Sequence, residues 1–310
     1  MADKKLLVLD DNESVFFREQ TRHIQAKVYA VKHKQFKALD ILPVDDSAPS
    51  GSTTIEYRYY DTVGVAAIIS DYGKGGIPRV DAYGISKSVT VKPIADAYGY
   101  TVPEIRRAAT NNVPLPTMKG TMAKKGIDIK HDQIAWLGDA EYGLQGLLNY
   151  PGILEYTVLA DGSGASKAWT TKTPAQILRD VSAFLSSVRQ ATNGVEQCDT
   201  VLMPIAQFDY IKGTTFGPEG TKTILTVLRE TFPEITLWDS IAELKGVGAG
   251  VTDRMIAFSR DMEHLAYQMP TMPEQQEPEK DGLEYVTVFY SESGGMTVYY
   301  PLSVVFADGI

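Results

Sequence analysis

The segment TIEYRYYDTVGV, Thr54–Val65, decides how the rest of the chain is read. Ile55, Tyr57, Tyr59, Val63 and Val65 fall on one face of an extended strand, and Thr54, Glu56, Arg58 and Thr62 on the other, the two-residue period of a half-buried strand. A glycine-studded stretch follows, with Gly73, Gly75, Gly76, Pro78 and Gly84, before the chain returns through KSVTVKP, Lys87–Pro93. The pattern predicts a long β-hairpin over residues 54–100. At ~3.3 Å per residue, a strand of about 12–16 residues reaches ~40–50 Å, the diameter of a small domain. A two-stranded hairpin alone is marginal in water. With nothing of its own chain to pack against, this one is expected to find its packing partner in another molecule.

The 310 residues are enough for one large domain or two interleaved ones, with a substantial core. Hydrophobic residues at 44% and charged residues at 22% are globular values and exclude wholesale disorder. A net charge of −9 argues against a dedicated nucleic-acid binder, which needs a basic footprint to neutralise phosphates. The single cysteine, Cys198, excludes an intrachain disulfide framework and a multi-thiolate metal site; in the apolar run CDTVLMPI it reads as a buried, inert thiol. MADKKLLVLDDNESVFF lacks the apolar core of a signal peptide, and no stretch nears the ~20 apolar residues of a membrane span, so the chain reads as a soluble protein made in a reducing cytosol.

Residues 1–53 read as an extended N-terminal arm, with a short helix in SVFFREQTRHIQAKVYAV and a linker in PVDDSAPSGST. Thr101-Val-Pro-Glu104 is a capping box that starts a helix, interrupted by Pro114 and Pro116. Leu115, Met118, Met122 and Ile129 predict the inward face of a second helix running to about residue 135. Thr173-Pro-Ala-Gln176 is another capping box, followed by the stripe Ile177, Leu178, Val181, Phe184, Leu185, Val188 and closed by Asn193-Gly194. After it come a strand in DTVLMPI, a helix in KTILTVLRETF, and strands in ITLW, RMIAFS and HLAYQM. A loop is expected over PTMPEQQEPEKDG, then a final hairpin EYVTVFY–SESGG–MTVYY and a last strand in SVVFA. The class is α+β.

No constellation for catalysis emerges. His23, His33, His131 and His264 are far apart and lack metal-binding spacing. GVGAGVTDR, Gly246–Arg254, looks like a nucleotide loop, but a helical segment precedes it and a strand follows, the reverse of a dinucleotide site. GTTFGPEGTKT lacks the Gly-Lys-Ser/Thr of a phosphate-binding loop, and GSGAS is not a nucleophile elbow. No catalytic, cofactor-binding or metal-binding residue is assigned, and the chain is read as not an enzyme.

Several segments, taken in order, carry a resemblance: IEYRYYDTVGVAAIISDYGKGGIPRVDAYG, GLLNYPGI, DTVLMPIAQFDYI, GVTDRMIAFSRDMEHLAYQMP and the terminal YYPLSVVFADGI. Together they resemble the major capsid proteins of tailed bacteriophages with the Hong Kong 97-type fold, from about residue 25 to Ile310. The resemblance implies an α+β capsid fold with an N-terminal arm, an extended hairpin loop, a spine helix, a peripheral domain and an axial domain. Residues 1–53 would be the arm and the start of the peripheral domain, 54–100 the hairpin, 101–145 the spine helix and peripheral domain, 146–282 the axial domain, and 283–310 the strands completing both sheets. It implies a self-assembling shell of pentamers and hexamers in the virion, enclosing double-stranded DNA without reading it. Portal and scaffolding proteins would be partners, the scaffold as a separate protein, with no cofactor, no membrane, and synthesis in the bacterial host cytoplasm. The hairpin contacts would be Ile55, Tyr57, Tyr59, Val63 and Val65, with Tyr72, Lys74, Arg79 and Asp81 near the tip. Lys74 lacks the asparagine partner and activating carboxylate that a covalent crosslink needs. Two other readings remain: an encapsulin-type nanocompartment shell, and a soluble enzyme using residues 246–254 for a nucleotide. At ~25 cal/mol per Å², burying several hundred Å² of the hairpin face on a neighbour contributes on the order of 10 kcal/mol before entropy costs.

Overall fold

The computed structural model describes residues 36–63, 81–110, 118–217 and 220–310, excepting the side chains at 60–63, 81–83 and 118. The short helix expected near residues 14–31, together with His23 and His33, lies outside the described residues. Residues 36–310 form one compact unit. Its elements open with α1 (Ala38–Ile41), β1 (Val44–Asp45), β2 (Thr54–Val63), β3 (Asp81–Thr90), β4 (Lys92–Thr101), α2 (Val102–Thr110) and α3 (Met118–Leu137). They continue with β5 (Leu154–Thr157), α4 (Pro174–Ala191), β6 (Thr200–Met203), α5 (Ile205–Gly213), α6 (Ile224–Thr231), β7 (Leu237–Ser240), β8 (Arg254–Phe258) and β9 (Leu265–Gln268). The last are β10 (Thr271–Gln275), β11 (Glu279–Asp281), β12 (Glu284–Ser293), β13 (Gly295–Val298) and β14 (Val304–Asp308).

Four sheets result: β5-β14-β8-β6-β7, β1-β9-β13, β4 and β10/β11 on opposite sides of β12, and the isolated pair β2-β3. In the five-stranded sheet β6 and β8 are buried at every position, as are the first four residues of β14, the unbroken apolar runs of strands covered on both faces. Helix α4 packs on it. Its Thr173–Gln176 capping box forms as expected, and Ile177, Val181, Phe184, Leu185 and Val188 are all buried. Cys198 belongs to this core; burial pushes its thiol up to about 12, so it is inert near neutrality.

Several expectations are corrected. The hairpin ladder ends at Thr90, and residues 92–101, expected within it, pair with β12 from Lys92↔Ser293 to Thr101↔Glu284. EYVTVFY and MTVYY do not form a hairpin: β12 already has partners on both sides, so β13 turns at Gly295 (φ +74) and joins β9. The proline- and glutamate-rich loop contains β10 and β11, which extend β12's second side. Pro273 is tolerated there because the β10 register slips between Thr271 and Glu274. Residues 36–45 are not a free arm, since Ala38, Ile41 and Leu42 are buried in the core and β1 pairs with β9. Helix α5 was not anticipated.

The inward line of α3 also differs from the expected one. Met122 is 56% exposed and Ile129 half-buried, while Ala123, Ile127, His131 and Ile134 face in; Leu115 and the Met118 side chain lie outside the description. A stripe drawn through apolar residues alone misses the buried histidine at its centre. His131 Nδ1 lies 2.8 Å from the Tyr267 hydroxyl and Nε2 2.8 Å from Ser291 Oγ, while Ser293 Oγ donates to Tyr267. These partners join α3 to β9 and β12.

Burial holds His131 near 4, against an ordinary 6.5. Because the folded chain disfavours the proton, stability is complete above about pH 6.5 and is lost as pH falls toward 4, by on the order of 3 kcal/mol. Urea midpoints at pH 7 and pH 4.5 should therefore differ strongly in the wild type and much less in His131→Gln. An equal drop in both would assign the dependence to other groups.

Candidate assembly surface

The arm is built as the alternation predicts. Ile55, Tyr57 and Tyr59 are half-buried while Thr54, Glu56 and Arg58 are exposed. The register Ile55↔Val89, Tyr57↔Lys87, Tyr59↔Ile85 adds three side chains from β3 to the same face. Reading DAYGISKSVT for period two, instead of the return strand from Lys87 onward, would have found Ile85, the most exposed of these apolar residues at 64%. Lys87 extends its ammonium over the Tyr59 ring, 5.2 Å from its centroid. Val63 and Asp81 end the ladder opposite each other; Val65, Tyr72, Lys74 and Arg79 lie outside the described residues.

The face is not bare along its whole length. Tyr57 meets Tyr299 edge to face at 5.2 Å and Tyr59 at 5.4 Å. Burial first, then the neighbouring Tyr150 hydroxyl, raise the Tyr57 phenol above its ordinary value. The lower half of the arm therefore does pack on its own chain, which corrects the expectation of no internal partner. The tyrosines that cover it lie about 90 and 240 residues away in sequence, too far for local pattern to reveal. Tyr59 is half-buried beside Tyr57, and beyond it Ile85 stays open.

A second margin is closed to strand addition. Pro93 cannot donate to β12, so its nitrogen faces the outer edge of β4, and Ala95, Ala97, Gly99 and Thr101 share that edge by the period of two. Along it the Ala97 N–H donates to the Asp96 carboxylate at 2.9 Å. Lys119 donates to the Gly99 carbonyl at 2.9 Å, and the Thr101 N–H donates to Glu104 at 3.0 Å. A proline and three side-chain caps blunt the ten-residue edge. The Thr101–Glu104 capping box expected from the sequence thus also serves the sheet.

The glycine loop at 246–254 does not form an anion cradle. Its Gly246 N–H donates to Asp253 at 3.0 Å and its Ala249 N–H to Asp308 at 2.8 Å, and Arg254 holds Asp308 with two bonds of 2.6 and 2.8 Å. A phosphate there would meet two carboxylates. Among the described residues no group of histidine, cysteine, aspartate or glutamate has metal-ligand geometry, and no helix is long and apolar enough to cross a membrane.

The fold matches solved capsids over nearly its whole length. The capsid of the Myoviridae phage XM1 aligns with a TM-score of 0.78 at 17% identity, covering 94% of this chain and 98% of that one. Mycobacterium phage Bobi aligns at 0.59 and 13%, covering 97% and 100%. A virus-like particle from Pyrococcus furiosus aligns at 0.56 and 13%, covering 87% and 91%. This is the Hong Kong 97-type fold of shell-forming subunits. The model of the major capsid protein family matches residues 64–310, and the chain belongs to that family. No curated protein matches.

Proposed function

We propose that this chain is the subunit of the icosahedral head of a tailed phage or prophage, built through pentamers and hexamers and enclosing double-stranded DNA. The carrying observation is the two-stranded arm, on whose apolar face Ile85 remains 64% exposed. Heterologous contacts close into rings, and an arm laid on the next subunit supplies one. Ile55, Tyr57, Tyr59, Val63 and Val65 supply the contact, with Tyr72, Lys74, Arg79 and Asp81 at its polar margin. DNA is held by confinement rather than recognition, which a net charge of −9 permits. The role is structural and not enzymatic. The subunit is made in the host cytoplasm, meets portal and scaffolding proteins during assembly, and resides in the virion.

Electron microscopy of the purified full-length chain tests this directly. Closed shells, tubes or rings are expected, and a monodisperse monomer at high concentration would sink the proposal. Small closed particles loaded with a protein cargo in place of DNA would instead favour the nanocompartment reading.

A further inference from the structure

One residue holds the foot of the hairpin's outgoing leg. Glu292, in β12, stands opposite Pro93, just beyond the returning leg, and opposite Thr271 on the other side. Its side chain reaches the outgoing leg: the Gly51 N–H donates to the carboxylate at 3.0 and 3.2 Å. Tyr290 donates its hydroxyl at 2.6 Å, and the Thr271 hydroxyl lies 2.9 Å from the carboxylate and 2.8 Å from Ser50 Oγ. Glu292 is 5% exposed, and among the described residues no cation pairs with it. Gly51 has φ +83, a left-handed conformation that favours glycine and aims this N–H at the carboxylate.

We infer that Glu292 is a positioning residue for assembly, a clasp that sets the angle at which the hairpin leaves the body of the subunit. A buried carboxylate without a cation is tolerable only while its hydrogen bonds are complete. Lifting the hairpin foot withdraws the Gly51 donor and leaves the charge under-satisfied, so the carboxylate resists that motion. Burial pushes the Glu292 carboxyl up, but the bonds from Tyr290, Gly51 and Thr271 outweigh it and hold it below its ordinary value. Beside the clasp, Val89 of the returning leg abuts Gly294, where an added Cβ would sit 3.6 Å from Val89 Cγ1. The outgoing leg is braced higher up by Tyr57 on Tyr299.

This inference rests on the hairpin being the assembly arm, and the test separates the two. In the full-length chain, Glu292→Gln keeps the volume but turns an amide N–H₂ toward the same donors. Hydrogen exchange of peptides spanning residues 50–59 should then accelerate roughly tenfold, with helix α4 unchanged. Particles imaged from the same preparation should vary in diameter or fail to close. Unchanged exchange at 50–59 overturns the clasp. Faster exchange with particles of wild-type diameter overturns its positioning role. If Glu292→Gln does not fold, Tyr290→Phe and Thr271→Val each remove one donor and should shift exchange in the same direction by less. Normal assembly of an Ile85→Asp chain would instead strike at the arm reading and leave the exchange result standing.

Discussion

Ile85→Asp subunits should fold normally and form no shells. Ile85 is 64% exposed in the isolated subunit, opposite Tyr59 on the arm's open face. An exposed substitution of this kind changes subunit stability by about 0.5 kcal/mol or less. Buried against a neighbour, the carboxylate must be desolvated without a partner, at a cost of several kcal/mol per contact. That penalty recurs at every arm, so it is multiplied around each ring. Circular dichroism and thermal midpoint report the fold, and sedimentation with microscopy reports the particles. Wild-type particles from Ile85→Asp would show that the arm's open face is not an intersubunit contact.

The largest loss of subunit stability should come from Lys172→Met. Lys172 has no exposed side-chain surface and Asp180 only 1%. Its ammonium lies 2.5 Å from Asp180, 2.6 Å from the Leu159 carbonyl and 3.3 Å from Asp161. Arg179 pairs with Asp161 and lies 3.4 Å from Asp180. Removing the lysine leaves Asp180 buried with that long contact, a loss of about 3–5 kcal/mol, or on the order of 10 °C in Tm. The double variant Lys172→Met/Asp180→Asn removes both charges with side chains of similar volume and should regain most of the loss. A double variant as unstable as the single one would show that the pair matters for its packing rather than for its charge balance.

What the sequence revealed was local. Period two gave β2 and its apolar face, capping boxes gave the starts of α2 and α4, and the stripe from Ile177 to Val188 gave the helix under the five-stranded sheet. Pairing was not legible. β12 and β13 look like a hairpin because they are consecutive and alternate, yet the partners of β12 lie about 190 residues upstream in β4 and just before it in β10 and β11. His131 reads from the sequence only as a surface or structural histidine and could not be placed at the centre of α3's buried line, because a helical stripe is recognised by its apolar members. At the assembly surface the apolar face was legible on β2. The tyrosines covering its lower half, the clasp at its foot and the blunted edge of β4 all depend on residues brought together by tertiary structure.

The place of β14 bears on how such a subunit is made. It lies inside the five-stranded sheet, parallel to β5 about 150 residues earlier and antiparallel to β8. Until residues 304–308 have been synthesised, β5 has no partner in that sheet and β8 has one open side. The sheet that carries α4 thus closes only after residues 304–308 have left the ribosome, the high contact order that slows folding. Nascent chains on one polysome then expose their hairpins before their sheets are complete.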